Sequence, residues 1–191
     1  LLIMKKKLLL LFCCGPCSTH VINTLKEDFD VTAFFYNPNI QPRPEYTQRL
    51  EAAQKFAKDS DIPFIEGKYD PEYWFELIKG HEKDEEGGER CTICFNARMK
   101  CAAKFAKENN FDIISNTLTI SPHKDAKLIN ATEKRQADKA GVEHLNANFK
   151  KEDGFKKSIE LSKEHDLYRQ QYCGCLYSLK SSMASPNEKN L

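Results

Sequence analysis

The chain has 191 residues, eight cysteines and a net charge of +1, with 29 basic against 28 acidic side chains. That length suits one α/β domain spanning 1–191 with a substantial core, and the even charge leaves no global footprint of nucleic-acid binding. No apolar stretch approaches the roughly 20 residues of a transmembrane helix, and closely spaced cysteine pairs in a long Lys- and Glu-rich chain argue against a small secreted disulfide scaffold.

In chain order, Leu1, Leu2 and Ile3 precede Met4 and are read as lying ahead of the native start. Lysines 5–7 followed by the apolar run 8–12 mimic a signal peptide. The run is short, however, and no small-residue cleavage site precedes Cys13. Residues 8–12 are therefore read as a buried strand, and a reducing, cytoplasmic setting is expected. A helix-like stretch, 19–28, comes next. The run 31–36 is apolar, β-branched and aromatic, as in a strand buried on both faces. Residues 37–44 hold three prolines and form a rigid loop. The pattern over 45–59 predicts a helix with Tyr46, Leu50, Ala53 and Ala57 on one face. Residues 62–65 read as a short strand. Asp70 at the N-cap and Pro71 at the first helical position open the next helix, with Trp74, Leu77 and Ile78 inward.

Residues 81–90 are charged and glycine-containing, a surface excursion. A helix within 91–109 buries Met99, Ala102, Ala103 and Ala106. Residues 111–115 form a strand, 117–122 a polar loop, 125–140 a helix stopped by Gly141, and 142–145 a last strand. A helix over 155–165 and the cysteine-bearing 167–178 complete the chain. Lysine clusters such as Lys100, Lys104 and Lys107 are read as solvated helix faces, with a basic RNA-binding face as the sharper alternative. The βα alternation predicts a three-layer αβα fold with a mainly parallel sheet. In that architecture ligands bind beyond the C-terminal ends of the strands, so the loops after 8–12, 31–36 and 111–115 should pool their side chains.

Three chemistries compete for the cysteines. Cys14-Gly15-Pro16-Cys17 has the letters of the thioredoxin tetrapeptide, between a strand and a helix, and predicts dithiol exchange through a Cys14–Cys17 disulfide. Only one strand precedes it, and the other cysteines are left without a role. A structural zinc site in an RNA-binding module could use Cys91, Cys94, Cys173 and Cys175, which leaves the first three unexplained. Iron–sulfur ligation is the third reading. In extended backbone Cys13 and Cys14 would point oppositely and serve two metals. Seven cysteines suit a cluster plus a separate iron, with Asp70 as the candidate carboxylate ligand, although Asp70 also reads as a plain helix cap.

The blocks Cys13-Cys14-Gly15-Pro16-Cys17-Ser18, Tyr36-Asn37-Pro38-Asn39-Ile40, Gly88-Glu89-Arg90-Cys91-Thr92-Ile93-Cys94, Ser121-Pro122-His123-Lys124 and Leu167-Tyr168-Arg169-Gln170-Gln171-Tyr172-Cys173-Gly174-Cys175 resemble the QueH-type epoxyqueuosine reductases. They occur in family order between residue 8 and about residue 182. The resemblance implies an adenine-nucleotide α-hydrolase-like (HUP-like) core. It implies cobalamin-independent reduction of the epoxide of epoxyqueuosine at the tRNA wobble position, using a 4Fe-4S cluster and an additional iron ion. No Ser-Gly-Gly-x-Asp-Ser loop is present, so no nucleotide hydrolysis is expected.

Cys13, Cys14, Cys17, Cys91, Cys94, Cys173 and Cys175 are the ligand pool on this reading, with Cys17 as the candidate free acid thiol. An external one-electron donor is required. Tyr36, Tyr46, Tyr168 and Tyr172 are candidates to stack on the splayed base. Arg169 and Lys124 are candidates to hold phosphate or the departing oxygen, His123 to shuttle a proton, and Arg43 and Arg49 to meet the RNA backbone. Cys101 is expected to be a buried core thiol.

Overall fold

The computed structural model describes residues 4–184; the segment ahead of Met4 lies outside them. In chain order the elements are β1 (Lys6–Phe12), α1 (Gly15–Leu25), β2 (Phe29–Phe35), α2 (Arg43–Asp59), β3 (Phe64–Glu66), α3 (Pro71–Leu77), α4 (Glu89–Glu108), β4 (Ile113–Asn116), α5 (Ala126–Ala140), β5 (Glu143–His144), α6 (Gly154–Glu164) and α7 (Leu176–Ala184). The strands form one sheet in the order β3-β2-β1-β4-β5, and each pairing is parallel.

Strand β1 is central, and its side chains alternate between two cores. Leu8, Leu10 and Phe12 pack with residues of α1, α2 and β2. Leu9 and Leu11 pack with Met99, Ala102 and Ala103 of α4 and Ile129 of α5. All five of these β1 residues are fully buried, and each contributes about 1.5–3 kcal/mol by leaving water. A helix layer on either face of the sheet follows, the αβα arrangement and HUP-like core expected.

The strand order runs outward from β1 in both directions, so the connections leaving β1 and β4 diverge. Ligand crevices form at such a switch point. The register sets Phe12 beside Phe35 and Leu11 beside Asn116. The residues that follow, Cys13, Tyr36 and Thr117, therefore emerge together.

Four expectations are corrected or extended. Helix α1 begins at Gly15 rather than Thr19, with Pro16 in its first turn, where a missing N–H and a fixed φ cost nothing. Cys17 is therefore helical. The expected loop 117–122 contains a buried 3₁₀ turn, Leu118–Ile120. Helix α7 was not anticipated. Cys101, expected in the core, is half-buried at the edge of the second core.

Candidate metal centre

The first cysteines are presented by the β1–α1 junction. Cys14 is the N-cap of α1, in extended backbone, with no side-chain cap. The Ser18 hydroxyl donates to the Cys14 carbonyl at 2.7 Å. Gly15 lets this junction press on α2, because a Cβ there would lie 2.8 Å from the Ala52 carbonyl oxygen. The three sulfurs of Cys13, Cys14 and Cys17 all lie within 4.8 Å of one another. Cys13 and Cys14 do not point oppositely: their sulfurs are 3.6 Å apart. The chain bends at Cys13, which ends the alternation that extended backbone would impose.

The three thiols share charge unequally. Hydrogen bonds from Cys14 and then Cys17 hold the Cys13 thiol well below its usual pKa. Burial pushes Cys14 up to about 12, and the hydrogen bond to Cys13 raises Cys17. Gln170 adds a donor, with Nε2 at 3.0 Å from Cys14 Sγ.

Cys91 and Cys94 come from the first turns of α4. Gly87 donates its N–H to Cys91 Sγ at 3.2 Å, and burial pushes the Cys94 thiol up to about 12. Cys173 and Cys175 sit on the loop before α7. Its shape needs Gly174, whose φ of +139° strains any other residue and where a Cβ would crowd the Arg49 and Ile40 side chains at 3.1 Å. This loop is bolted to the 37–43 loop: Gln41 N–H donates to the Gly174 carbonyl at 2.8 Å, and Leu176 N–H donates to Gln41 Oε1 at 3.1 Å.

One cavity joins these segments. Its lining includes Cys13, Cys17, Cys91, Cys94, Cys173 and Cys175, and it leaves about 80 Å³ for guests, room for several waters. Cys14 lies just behind it, against Cys13. Soft thiolates at this density suit iron–sulfur clusters or zinc rather than hard cations.

Buried cations surround the thiols. Arg98 donates to the Tyr36 and Phe12 carbonyls, each at 3.2 Å, and so caps the ends of β2 and β1. Arg90 donates to the carbonyls of His81, Glu82 and Asp84 and packs on the Tyr177 ring. Lys124 Nζ lies 3.5 Å from Cys173 Sγ, and negative charge on that sulfur raises the lysine further.

Other sequence candidates fall differently. Arg49 does not face solvent: it is 2% exposed. Its guanidinium donates to Glu45 Oε1 at 2.7 Å and to the Cys173 and Tyr172 carbonyls, each at 2.9 Å. Tyr46 is a core residue packed edge-to-face on Phe35, and Tyr36 is buried parallel to Phe34, so neither ring is open to a base. Tyr172 lies under Arg49 and donates its hydroxyl to the Gln41 carbonyl. Tyr168 is 37% exposed, with its hydroxyl on Glu45 Oε2 at 2.6 Å. Arg43 is exposed and covers the Tyr69 ring. Arg169 is exposed beside a small hollow shared with Pro16, Cys17 and Gln170. His123 is exposed and does not line the cavity. Asp70 caps α3 through Tyr73 N–H at 3.1 Å, pairs with Lys68 at 2.6 Å, and is likewise outside the cavity lining.

Sequence reasoning missed Arg90, Arg98 and Gln170. Arg98 lies four residues before Ala102, on the predicted inner face of its helix, and that spacing was the available signal.

A family model described as epoxyqueuosine reductase QueH matches residues 8–181. The chain belongs to the QueH family. A relative named epoxyqueuosine reductase QueH from Haemophilus influenzae is 44% identical over 178 residues, covering 92% of this chain and 73% of the relative. A QueH from Acinetobacter baylyi is 43% identical, with 92% and 82% covered. QueH from Thermotoga maritima is 35% identical, with 87% of each chain covered. The fold also resembles that of the U34-tRNA thiolase NcsA from Methanococcus maripaludis, solved with its [4Fe-4S] cluster. That match has a TM-score of 0.55 and 16% identity, and covers 96% of this chain and 66% of NcsA. Among the described residues no helix is long and apolar enough to cross a membrane.

Proposed function

We propose that this chain reduces the epoxide of epoxyqueuosine in tRNA to the alkene of queuosine, in the cytoplasm, taking electrons one at a time from an external donor. Conversion of epoxide to alkene consumes two electrons and two protons and releases the oxygen as water. The carrying observation is that six cysteines from three distant segments line one cavity, with a seventh, Cys14, against Cys13. Cys13, Cys14, Cys17, Cys91, Cys94, Cys173 and Cys175 are the ligand pool for a 4Fe-4S cluster and an additional iron, and the donor set fits because all seven are thiols, six of them lining one cavity and the seventh against Cys13. When bound, such a group supplies single electrons and a Lewis-acidic iron.

The chain's own residues supply the rest. Lys124 Nζ stays protonated beside Cys173 and can deliver a proton to the departing oxygen. Arg49, Arg90 and Arg98 hold three loops in place and offset thiolate charge without approaching as acids. Trp74, Ile40 and Phe95 line the cavity with apolar surface and thin out water, which strengthens each electrostatic contact inside. Tyr168, 37% exposed, is the candidate ring for stacking on the splayed base. Arg43 and Arg169, both exposed, meet the RNA backbone, and His123, also exposed, exchanges protons with solvent.

The test is anaerobic purification, followed by iron and sulfide analysis and an assay on an anticodon stem-loop carrying epoxyqueuosine. Iron in excess of sulfide with conversion to queuosine is the expected result. Colourless protein holding only zinc, with no conversion, refutes the proposal.

A further inference from the structure

A buried polar side-chain atom without a partner calls for an explanation. Among the described residues such atoms fall into two groups. One group is on Asn130, Glu133, His144 and Asn148, none of which lines the cavity; there the Glu133 carboxylate and the His144 imidazole face each other at 3.3 Å. The other belongs to residues lining the cavity: the amide oxygens of Asn37, Asn39 and Gln170, with Trp74 Nε1 and Arg90 Nε. The tryptophan N–H lies against Cys94, and Arg90 is otherwise occupied with carbonyls. The amide oxygens have no such neighbour.

Asn37 and Asn39 are 1% and 4% exposed. The orientation of Asn37 is set, because its Nδ2 donates to the Phe12 carbonyl at 3.0 Å, and a flipped amide would turn oxygen against oxygen. Asn39 Nδ2 faces Gly174, where a Cβ would stand 3.5 Å away. The loop carrying both is stiff: Pro38 separates them, Gln41 Nε2 donates to the Pro38 carbonyl at 3.0 Å, and Ile40 N–H returns to the Asn37 carbonyl at 3.3 Å. Two desolvated amide oxygens on a stiff loop beside a cavity are a cost to the folded protein. They repay it only toward a guest that brings hydrogen-bond donors.

We propose that Asn37 and Asn39 form a hydroxyl-reading subsite of the cavity, their amide oxygens accepting hydrogen bonds from donor groups on the substrate's ring. The inference rests on the epoxyqueuosine reading and names the part of the substrate that these residues recognise: the epoxidised ring carries hydroxyl groups and is joined to the base through an amine. A site built to bond hydroxyls rejects analogues that lack them far more strongly than an apolar pocket rejects a missing methylene.

The experiment uses iron-loaded protein and two stem-loops, one carrying epoxyqueuosine and one an epoxide analogue without the ring hydroxyls. Wild type should prefer the hydroxylated substrate by at least about a hundredfold in kcat/KM. Asn39→Leu, of similar volume, should raise KM at least about tenfold and lose most of that preference. Its iron content should be unchanged and its melting temperature equal or higher, because a buried unpaired acceptor has gone. Asn39→Asp, which keeps an acceptor, should retain the preference. Wild-type KM and preference in Asn39→Leu would mean that ordered water satisfies the oxygen, and overturn the proposal. A lower melting temperature with unchanged KM would make Asn39 structural and also overturn it. If wild type itself converts neither stem-loop, the functional reading fails and this inference falls with it.

Discussion

Replacing Arg49 by Met should damage the site without touching a thiol. The substitution removes a guanidinium that is 2% exposed, together with its bonds to Glu45, Cys173 and Tyr172. It leaves the Glu45 carboxylate buried, with only the Tyr168 hydroxyl for company. Breaking one side of a buried pair costs about 3–5 kcal/mol, mostly from the stranded charge. For a chain of this size that corresponds to a melting temperature lower by about 6–20 °C. The loop carrying Cys173 and Cys175 should loosen at the same time, so both thiols should be alkylated faster in metal-free protein. Adding Glu45→Leu removes the stranded charge and should recover at least half of the lost stability, but not the slow alkylation. If Arg49→Met melts within about 3 °C of the parent and its thiols react at the parental rate, the clamp is idle and the reasoning is wrong.

Further predictions concern the metal and the proton. Cys91→Ser should lower bound iron and abolish reduction while leaving the far-ultraviolet circular dichroism intact, because α4 does not need that thiol to fold. Lys124→Met should lower kcat by about 10²–10⁴ if its Nζ is the acid, with iron content unchanged; a kcat within twofold of wild type removes it from that role. Asp70→Asn should leave iron content unaltered, since Asn caps a helix nearly as well as Asp; loss of iron would return Asp70 to the ligand set. Stripping metal with a chelator should leave the fold's circular dichroism in place and allow iron to be restored.

The sheet was largely legible because its central strands β1 and β2 are buried on both faces over most of their length and read as apolar runs, Leu8 to Phe12 above all. The pooling of loops at one end followed from parallel topology alone. What escaped was set by long-range contacts. Arg49 lies three residues after Tyr46 and four before Ala53, so the helical period already placed it on the buried face; long charged residues are almost always exposed, and that prior outweighed the pattern. The relation of Cys13 to Cys14 turned on a single bend after the last strand residue, which no periodicity marks. The shape of 172–176 is dictated by Gln41 and Arg49, more than 120 residues earlier, so no local signal announced it.

Both hydrophobic cores around β1 are built mainly from residues outside the cysteine cavity, and the cysteine-bearing segments are fastened by arginines and by Gln41. Small zinc-dependent domains are unfolded until metal arrives, so their binding free energy is consumed in folding. Here the scaffold is complete beforehand. On the proposed reading, the polypeptide would be synthesised first and charged with iron later. Oxidative loss of the metal then leaves a standing vessel rather than an unfolded chain, so such damage is open to repair by reloading instead of resynthesis.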